Sequence, residues 1–319
     1  MNRRTFLTRC LLTPAVLRAW AADTPSILRF GIITDVHHDI MPDAIERIRT
    51  FGAAMEHASV DFVLQCGDFC QPKPGNQPFL DAWNAINRPK YHVLGNHDMD
   101  GRVRPEDTVR FYGMPSRHYV FDAGPFRGIV LDGNEPGGES KGYARFIAKA
   151  QLDWLADLLE RESKPALVFI HQPLDDAGGI ENATEVSSML KEALAKKPGC
   201  VAAIFSGHLH RDYQRWVAGI PSFQINSASY VWLGNGFEAR SYPDEIHHER
   251  PSLEKVAPYR DALWALVTLD RRAGELRVEG RESVWVGPDP WSRGASEQRC
   301  IRAECHPGIA HRTLSLPSV

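Results

Sequence analysis

Seven residues scattered between positions 35 and 210 are of types that bind metal ions: Asp35, His37, Asp68, Asn96, His171, His208 and His210. All offer oxygen or imidazole donors, and seven exceed what one tetrahedral ion takes. They suit two divalent ions sharing a carboxylate. Such a pair, about 3.5–4 Å apart, lowers the pKa of a bridging water. The resulting hydroxide is a nucleophile for hydrolysis. In Asp35-x-His37 and His208-x-His210 the spacing puts two donors on one side of an extended segment. On the same reading His38 faces away and is set aside. No Ser or Cys nucleophile motif accompanies the set.

The donors follow short apolar runs that read as buried strands. Ile27 to Ile33 precedes Asp35, and Asp61 to Cys66 precedes Asp68. Tyr91 to Leu94 precedes Asn96, Ala166 to Ile170 precedes His171, and Val201 to Phe205 precedes His208. Helical spacing of apolar residues appears at Pro42 to His57, Pro78 to Asn87, Ala150 to Glu162 and Glu185 to Lys196. Three hairpins are expected, over 118–132, 213–225 and 263–279. Alternating strands and helices predict an α/β sheet, whose sites form beyond the carboxyl ends of the strands. Parallel strands would gather the distant donors into one crevice. From about Ser283 the periodicity fades, and 283–319 is expected to be an irregular tail on the surface.

Each donor alone has a duller reading. An Asp after a strand caps a helix or turns the chain, and Gly67-Asp68 and Gly95-Asn96 are turn-like dipeptides. A lone His is usually structural, as expected here for His57 and His92, and His247-His248 reads as a solvated loop. Only the joint pattern carries the metal reading.

Asp35-x-His37, Gly67-Asp68, Gly95-Asn96-His97-Asp98, His171 and Gly207-His208-x-His210 resemble, in order, the five motifs of the calcineurin-like metallophosphoesterases. The resemblance covers roughly residues 28 to 230. It implies a four-layer α-β-β-α sandwich of two mixed sheets, the metallo-dependent phosphatase fold. It also implies that Asp35, His37, Asp68 and His210 hold one metal and that Asp68, Asn96, His171 and His208 hold the other, with Asp68 bridging. His97 resembles the family's non-ligand histidine, which protonates the leaving oxygen or hydrogen-bonds the transition state. Asp98 would orient a neighbouring group. The tyrosine that ligates ferric iron in the purple acid branch is replaced by Gln71, so a ferric-tyrosinate site is not expected. Mn, Fe, Zn or Co all suit the donors. Asn134, in a loop after a strand, and Tyr230, as a stacking platform, are candidate substrate contacts.

The implied activity is hydrolysis of a phosphoester, with a slight lean toward diesters. Monoesters and nucleotide pyrophosphates share the chemistry. A nuclease is a further alternative, and a metal-binding protein without turnover on the same fold is another. The chain of 319 residues carries 37 basic and 40 acidic side chains. Asn2-Arg3-Arg4-Thr5-Phe6-Leu7, an apolar stretch and Ala19-Trp20-Ala21 together resemble a twin-arginine export signal over 1–21. The stretch is too short to span a bilayer. Its removal takes four arginines and leaves a net charge of −7, which disfavours sequence-independent nucleic-acid binding. A bacterial protein exported by the twin-arginine machinery to the periplasm or beyond, acting on a small phosphoester, is the resulting expectation. The phosphoesterase domain is placed at 22–282. Of its cysteines, Cys300 and Cys305 are spaced to pair in an oxidising compartment, or all are simply buried.

Overall fold

Period-two alternation decides how the strands pack. The computed structural model describes residues 26–316, and the expected export signal lies outside the described residues. The chain runs Ile27–Ile33 (β1), Ala44–His57 (α1), Phe62–Gln65 (β2), Gln77–Asn84 (α2), Lys90–His92 (β3) and Pro105–Tyr112 (α3). It continues through Tyr119–Ala123 (β4), Phe126–Val130 (β5), Lys149–Arg161 (α4), Ala166–Phe169 (β6), Ala183–Lys196 (α5) and Val201–Ser206 (β7). Tyr213–Val217 (β8), Ile220–Gln224 (β9), Tyr230–Trp232 (β10), Asp244–Glu249 (α6) and Val256–Pro258 (β11) follow. Ala265–Asp270 (β12), Glu275–Glu279 (β13) and Arg312–Ser315 (β14) complete it.

Two six-stranded sheets result, ordered β14-β13-β12-β1-β2-β3 and β4-β5-β6-β7-β9-β8. In the first, β1, β2 and β3 are parallel while β12, β13 and β14 are antiparallel to their neighbours. In the second, β5, β6, β7 and β9 are parallel, with antiparallel β4 and β8 at the edges. Both sheets are mixed, as expected. Aromatic rings fill the space between them: Phe30 stacks on Phe62 at 4.8 Å and meets Phe169 and Phe205 edge-on at 5.6 and 5.4 Å. Gly31, on the opposite face of β1, lets α1 approach so closely that an added Cβ would strike Met55. On the far side, Ile129, Val168 and Ile204 pack under Leu152, Leu155 and Leu159 of α4 and Val186 and Leu190 of α5. Those leucines recur at helical spacing and form one apolar stripe. The layers are therefore helix, sheet, sheet, helix.

Residues 283–311 are largely irregular, but the tail is anchored more firmly than a surface drape: β14 pairs with β13 as an edge strand, and Cys300, Cys305 and Ile309 lie in the main core. The tail also returns to the second sheet, where Arg312 and the Ala310 N–H bind the Asp212 carboxylate at 2.7 to 3.0 Å. These partners lie far away in sequence, so local periodicity could not show them. Ile309→Ala is expected to cost about 2–5 kcal/mol, the range for a buried aliphatic truncation. A shift of the urea midpoint worth less than about 0.5 kcal/mol would return the tail to the surface. The five described cysteines are buried free thiols. His247, read as part of a loop, is instead buried on α6, where its Nε2 accepts the Tyr242 N–H at 3.1 Å.

Candidate metal centre

The parallel strands do what their direction predicts. β1, β2 and β3 in one sheet, and β6 and β7 in the other, end side by side. Asp35, His37, Asp68 and Asn96 leave the first sheet; His171, His208 and His210 leave the second. Carboxylate and ring atoms of Asp35, His37 and His210 lie within 4.8 Å of one another, and so do those of Asp68, His171 and His208. The Asp68 Oδ2 is 3.1 Å from His171 Nε2 and 3.7 Å from His37 Nε2, so this carboxylate sits between the two groups. Within the first group, His210 Nε2 is 3.2 Å from Asp35 Oδ1 and 3.1 Å from His37 Nε2.

The route to this convergence differs from the extended geometry expected for Asp-x-His and His-x-His. Asp35, His37, Asp68, His208 and His210 all have left-handed backbones, with φ between 50° and 76°. Non-glycine residues rarely adopt this region, and clusters of them mark functional sites. The loop after β1 follows the loop after β2 through Asp35 N to Gly67 O and His37 N to Asp68 O, each 3.0 Å. The turns pack so tightly that a Cβ at Gly95 would collide with the Asp68 backbone, and one at Gly207 with Thr34. The glycines in Gly-Asn and Gly-His are thus required by space.

Hydrogen bonds fix the ring donors. His171 Nδ1 is 2.7 Å from the Cys66 carbonyl, and His210 Nδ1 is 2.7 Å from the Tyr230 carbonyl. A carbonyl only accepts, so each Nδ1 carries a proton and each Nε2 is the atom turned to the donor group, as in metal-ligating histidines. Asn96 is buried, and neither atom of its amide has a hydrogen-bond partner. An orphaned buried amide is costly unless something else binds it. Unpartnered amide and mixed carboxylate and imidazole donors fit a pair of divalent ions.

Electrostatics point the same way. Burial pushes the Asp35 and Asp68 carboxyls up, but His210 and His171 beside Asp35, and His171, His97 and His37 beside Asp68, hold both well below the carboxylate range. Burial opposes charge on His171, yet Asp68 and Asp35 lift it to about 9. Burial takes His208 down to about 3, keeping it neutral. A proton on His171 and a cation on Asp68 answer the same demand for positive charge, so binding a cation there would displace a proton.

His97 belongs to neither donor group. Its side chain is 44% exposed, and Nδ1 donates to Asp100 Oδ2 at 2.7 Å, leaving Nε2 toward the cleft. Burial works against its charge, but Asp68 and Asp100 raise it to about 9. The cleft, of about 210 Å³, is lined by His37, Asp68 and His97 and by Asp39, Gln71, Asp100 and Ser252.

Asp98, expected to orient a neighbouring group, accepts the N–H groups of Phe69 at 2.6 Å and Gly95 at 2.8 Å and so clamps the turns after β2 and β3. Two candidates are placed differently from the sequence reading. Asn134 is committed to structure, giving its amide N–H to Leu94 and Asp132 and accepting from Gln172 at 2.6 Å. Tyr230 is 1% exposed and stacks on His37 at 5.0 Å, which leaves no free face for a substrate. Tyr143, marked by no pattern in the sequence, stands beside His97 and His208.

Two mixed sheets between helices, with paired oxygen and imidazole donor groups at the strand ends, define the metallo-dependent phosphatases. A family model described as calcineurin-like phosphoesterase matches residues 28–212, more than half the sequence, and the chain belongs to that family. It is a metallophosphoesterase, a hydrolase of phosphoric esters. It is 28% identical over 204 residues, 58% of this chain and 74% of the relative, to a probable cyclic nucleotide phosphodiesterase of Synechococcus. It is 23% identical over 258 residues, 60% of this chain and 80% of the relative, to a manganese-dependent ADP-ribose/CDP-alcohol diphosphatase of Oryza sativa. A dimetal phosphatase from Danio rerio shares the fold, with a TM-score of 0.54 at 16% identity, covering 81% of this chain and 98% of that one.

Proposed function

We propose that the chain hydrolyses a small phosphodiester. The observation that carries this reading is the Asp68 carboxylate set between two donor groups, with the unpartnered Asn96 amide beside them. In this reading Asp35, His37, Asp68 and His210 hold one divalent ion, and Asp68, Asn96, His171 and His208 hold the other. Two such ions supply an activated water and neutralise charge on the phosphoryl oxygens. Cys66 and Tyr230 carbonyls orient the His171 and His210 rings. His97, its proton held through Asp100 on Nδ1, presents Nε2–H to the leaving oxygen as the ester bond breaks. A diester is favoured over a diphosphate because none of the described residues lining the cleft is a Lys or Arg that would take a second phosphate. The rice relative keeps the diphosphate as the second reading.

The test is a panel of monoesters, diesters, cyclic nucleotides and pyrophosphates, run with Mn, Zn, Fe and Co in turn. Manganese is the first choice, given the relative named as manganese-dependent. Fastest turnover is expected on a diester. Absence of turnover on every ester, with two ions bound per chain, would leave a metal-binding protein without activity. Faster cleavage of an oligonucleotide than of a small diester would make it a nuclease. The paired arginines at Arg3 and Arg4 support export and action outside the cytoplasm. Cell fractionation checks this: a protein still beginning at Met1 and found only in the cytoplasm overturns it.

A further inference from the structure

The segment between β5 and α4 is long and contains several small residues, yet it is held in place. At its base Phe146 N–H donates to Gly133 O at 2.8 Å and Glu135 N–H to Phe146 O at 3.1 Å. Midway, the Glu181 carboxylate accepts the N–H groups of Glu139 and Ser140 at 2.6 and 3.1 Å. Between these anchors Tyr143 is carried to the metal centre. Its ring centre lies 6.0 Å from that of His97 and 5.5 Å from that of His208, edge-on to the latter. Its hydroxyl is 3.4 Å from His208 Nε2.

Tyr143 is 41% exposed, so core packing does not account for its position. The hydroxyl's one polar neighbour is a ring nitrogen that the proposed function assigns to a metal, and a nitrogen so used has no lone pair left to accept. The O–H is then free to turn toward whatever occupies the cleft. Among the described residues that line the neighbouring cleft, Asp39, Asp68 and Asp100 are acceptors and none is Lys or Arg. A phosphoryl group arriving there meets few donors, and an O–H donor to an anionic oxygen makes a short, strong hydrogen bond.

We propose that Tyr143 is a substrate-binding residue whose hydroxyl donates a hydrogen bond to a phosphoryl oxygen held at the paired donor groups. This rests on the phosphoester reading above and adds a contact that no family motif supplies. The test uses the full chain loaded with manganese and inorganic phosphate as the probe. Titration calorimetry gives phosphate affinity, and elemental analysis gives ion content. Tyr143→Phe is expected to keep two ions per chain and to weaken phosphate binding about tenfold, the size expected for loss of one hydrogen bond to a charged group. Tyr143→Ala should do no worse than Phe. Unchanged affinity in Tyr143→Phe overturns the proposal, as does a loss of phosphate binding seen only in Tyr143→Ala, which would make the ring and not the hydroxyl the contact. Loss of ions in Tyr143→Phe also overturns it, making the residue a brace for His208. So does a wild-type protein that binds no phosphate. If the wild type binds phosphate through Tyr143 yet turns over no ester, hydrolysis fails as a reading while the contact stands.

Discussion

Asp68→Asn is expected to reduce turnover on the order of a thousandfold and to lower the ion content from two per chain to one or none. Asparagine is the informative replacement. It tolerates the left-handed backbone at this position, φ 52°, and retains an oxygen to accept the His97 N–H now bound at 2.8 Å. What it removes is the charge that faces both donor groups, and with it the preorganised electrostatics that usually supplies the largest part of catalysis. The metal-free protein should also lose stability, because the neutral amide leaves the buried positive charge that Asp68 sustains on His171 without this partner. Elemental analysis, steady-state rates and thermal melts of the same preparation separate the three effects. Activity within tenfold of wild type would remove Asp68 from the centre of the mechanism.

His97→Ala should behave in the opposite way toward metal. Two ions are expected to remain, since His97 belongs to neither donor group, while kcat falls about 10²–10⁴-fold on esters of ordinary alcohols. The fall should be much smaller for nitrophenyl esters, whose leaving group departs without a proton. An equal loss on both would make the ring a hydrogen-bond donor to the transition state and not an acid. The pH profile gives a second signature. The acid form of His97 is present below its pKa, raised by Asp68 and Asp100 against burial to about 9, so the rate falls as pH rises through that value. Cations on Asp68 cancel part of the charge that raises it, so the alkaline limb of the loaded enzyme lies at or below about 9. That limb should vanish in His97→Ala.

Much of this centre was legible because strand ends announce themselves. Apolar runs that stop at Asp35, Asp68, Asn96, His171 and His208 needed only the assumption of parallel strands to converge, and β1, β2 and β3, like β6 and β7, are parallel. The backbone detail was not legible. Extended geometry was the natural inference for Asp-x-His, while the chain reaches the same end through left-handed turns that only three-dimensional packing imposes. Burial was the other blind spot. Asn134 and Tyr230 lie on loops that border the site, but whether a loop residue faces inward depends on partners such as Leu94, Gln172 and His37, far away in sequence. Helix α3 is a different case: Pro105 at its first turn and Gly113 at its left-handed end are ordinary start and stop signals. The sequence carried them in plain view. For the tail, composition showed the irregular chain but not its anchorage: Ile309 and β14 find partners in β13 and the main core.

The left-handed backbone at five of the donor positions constrains how this protein can change over time. A substitution there must suit a conformation that β-branched residues strongly resist, whatever its effect on chemistry. Glycine and asparagine enter at little conformational cost, while valine or isoleucine strains the turn and endangers the whole sandwich. A descendant that gave up hydrolysis but kept its shape would therefore be expected to drift first toward Gly and Asn at these sites. Its lost activity would be written in small and amide side chains, with the surrounding framework still intact.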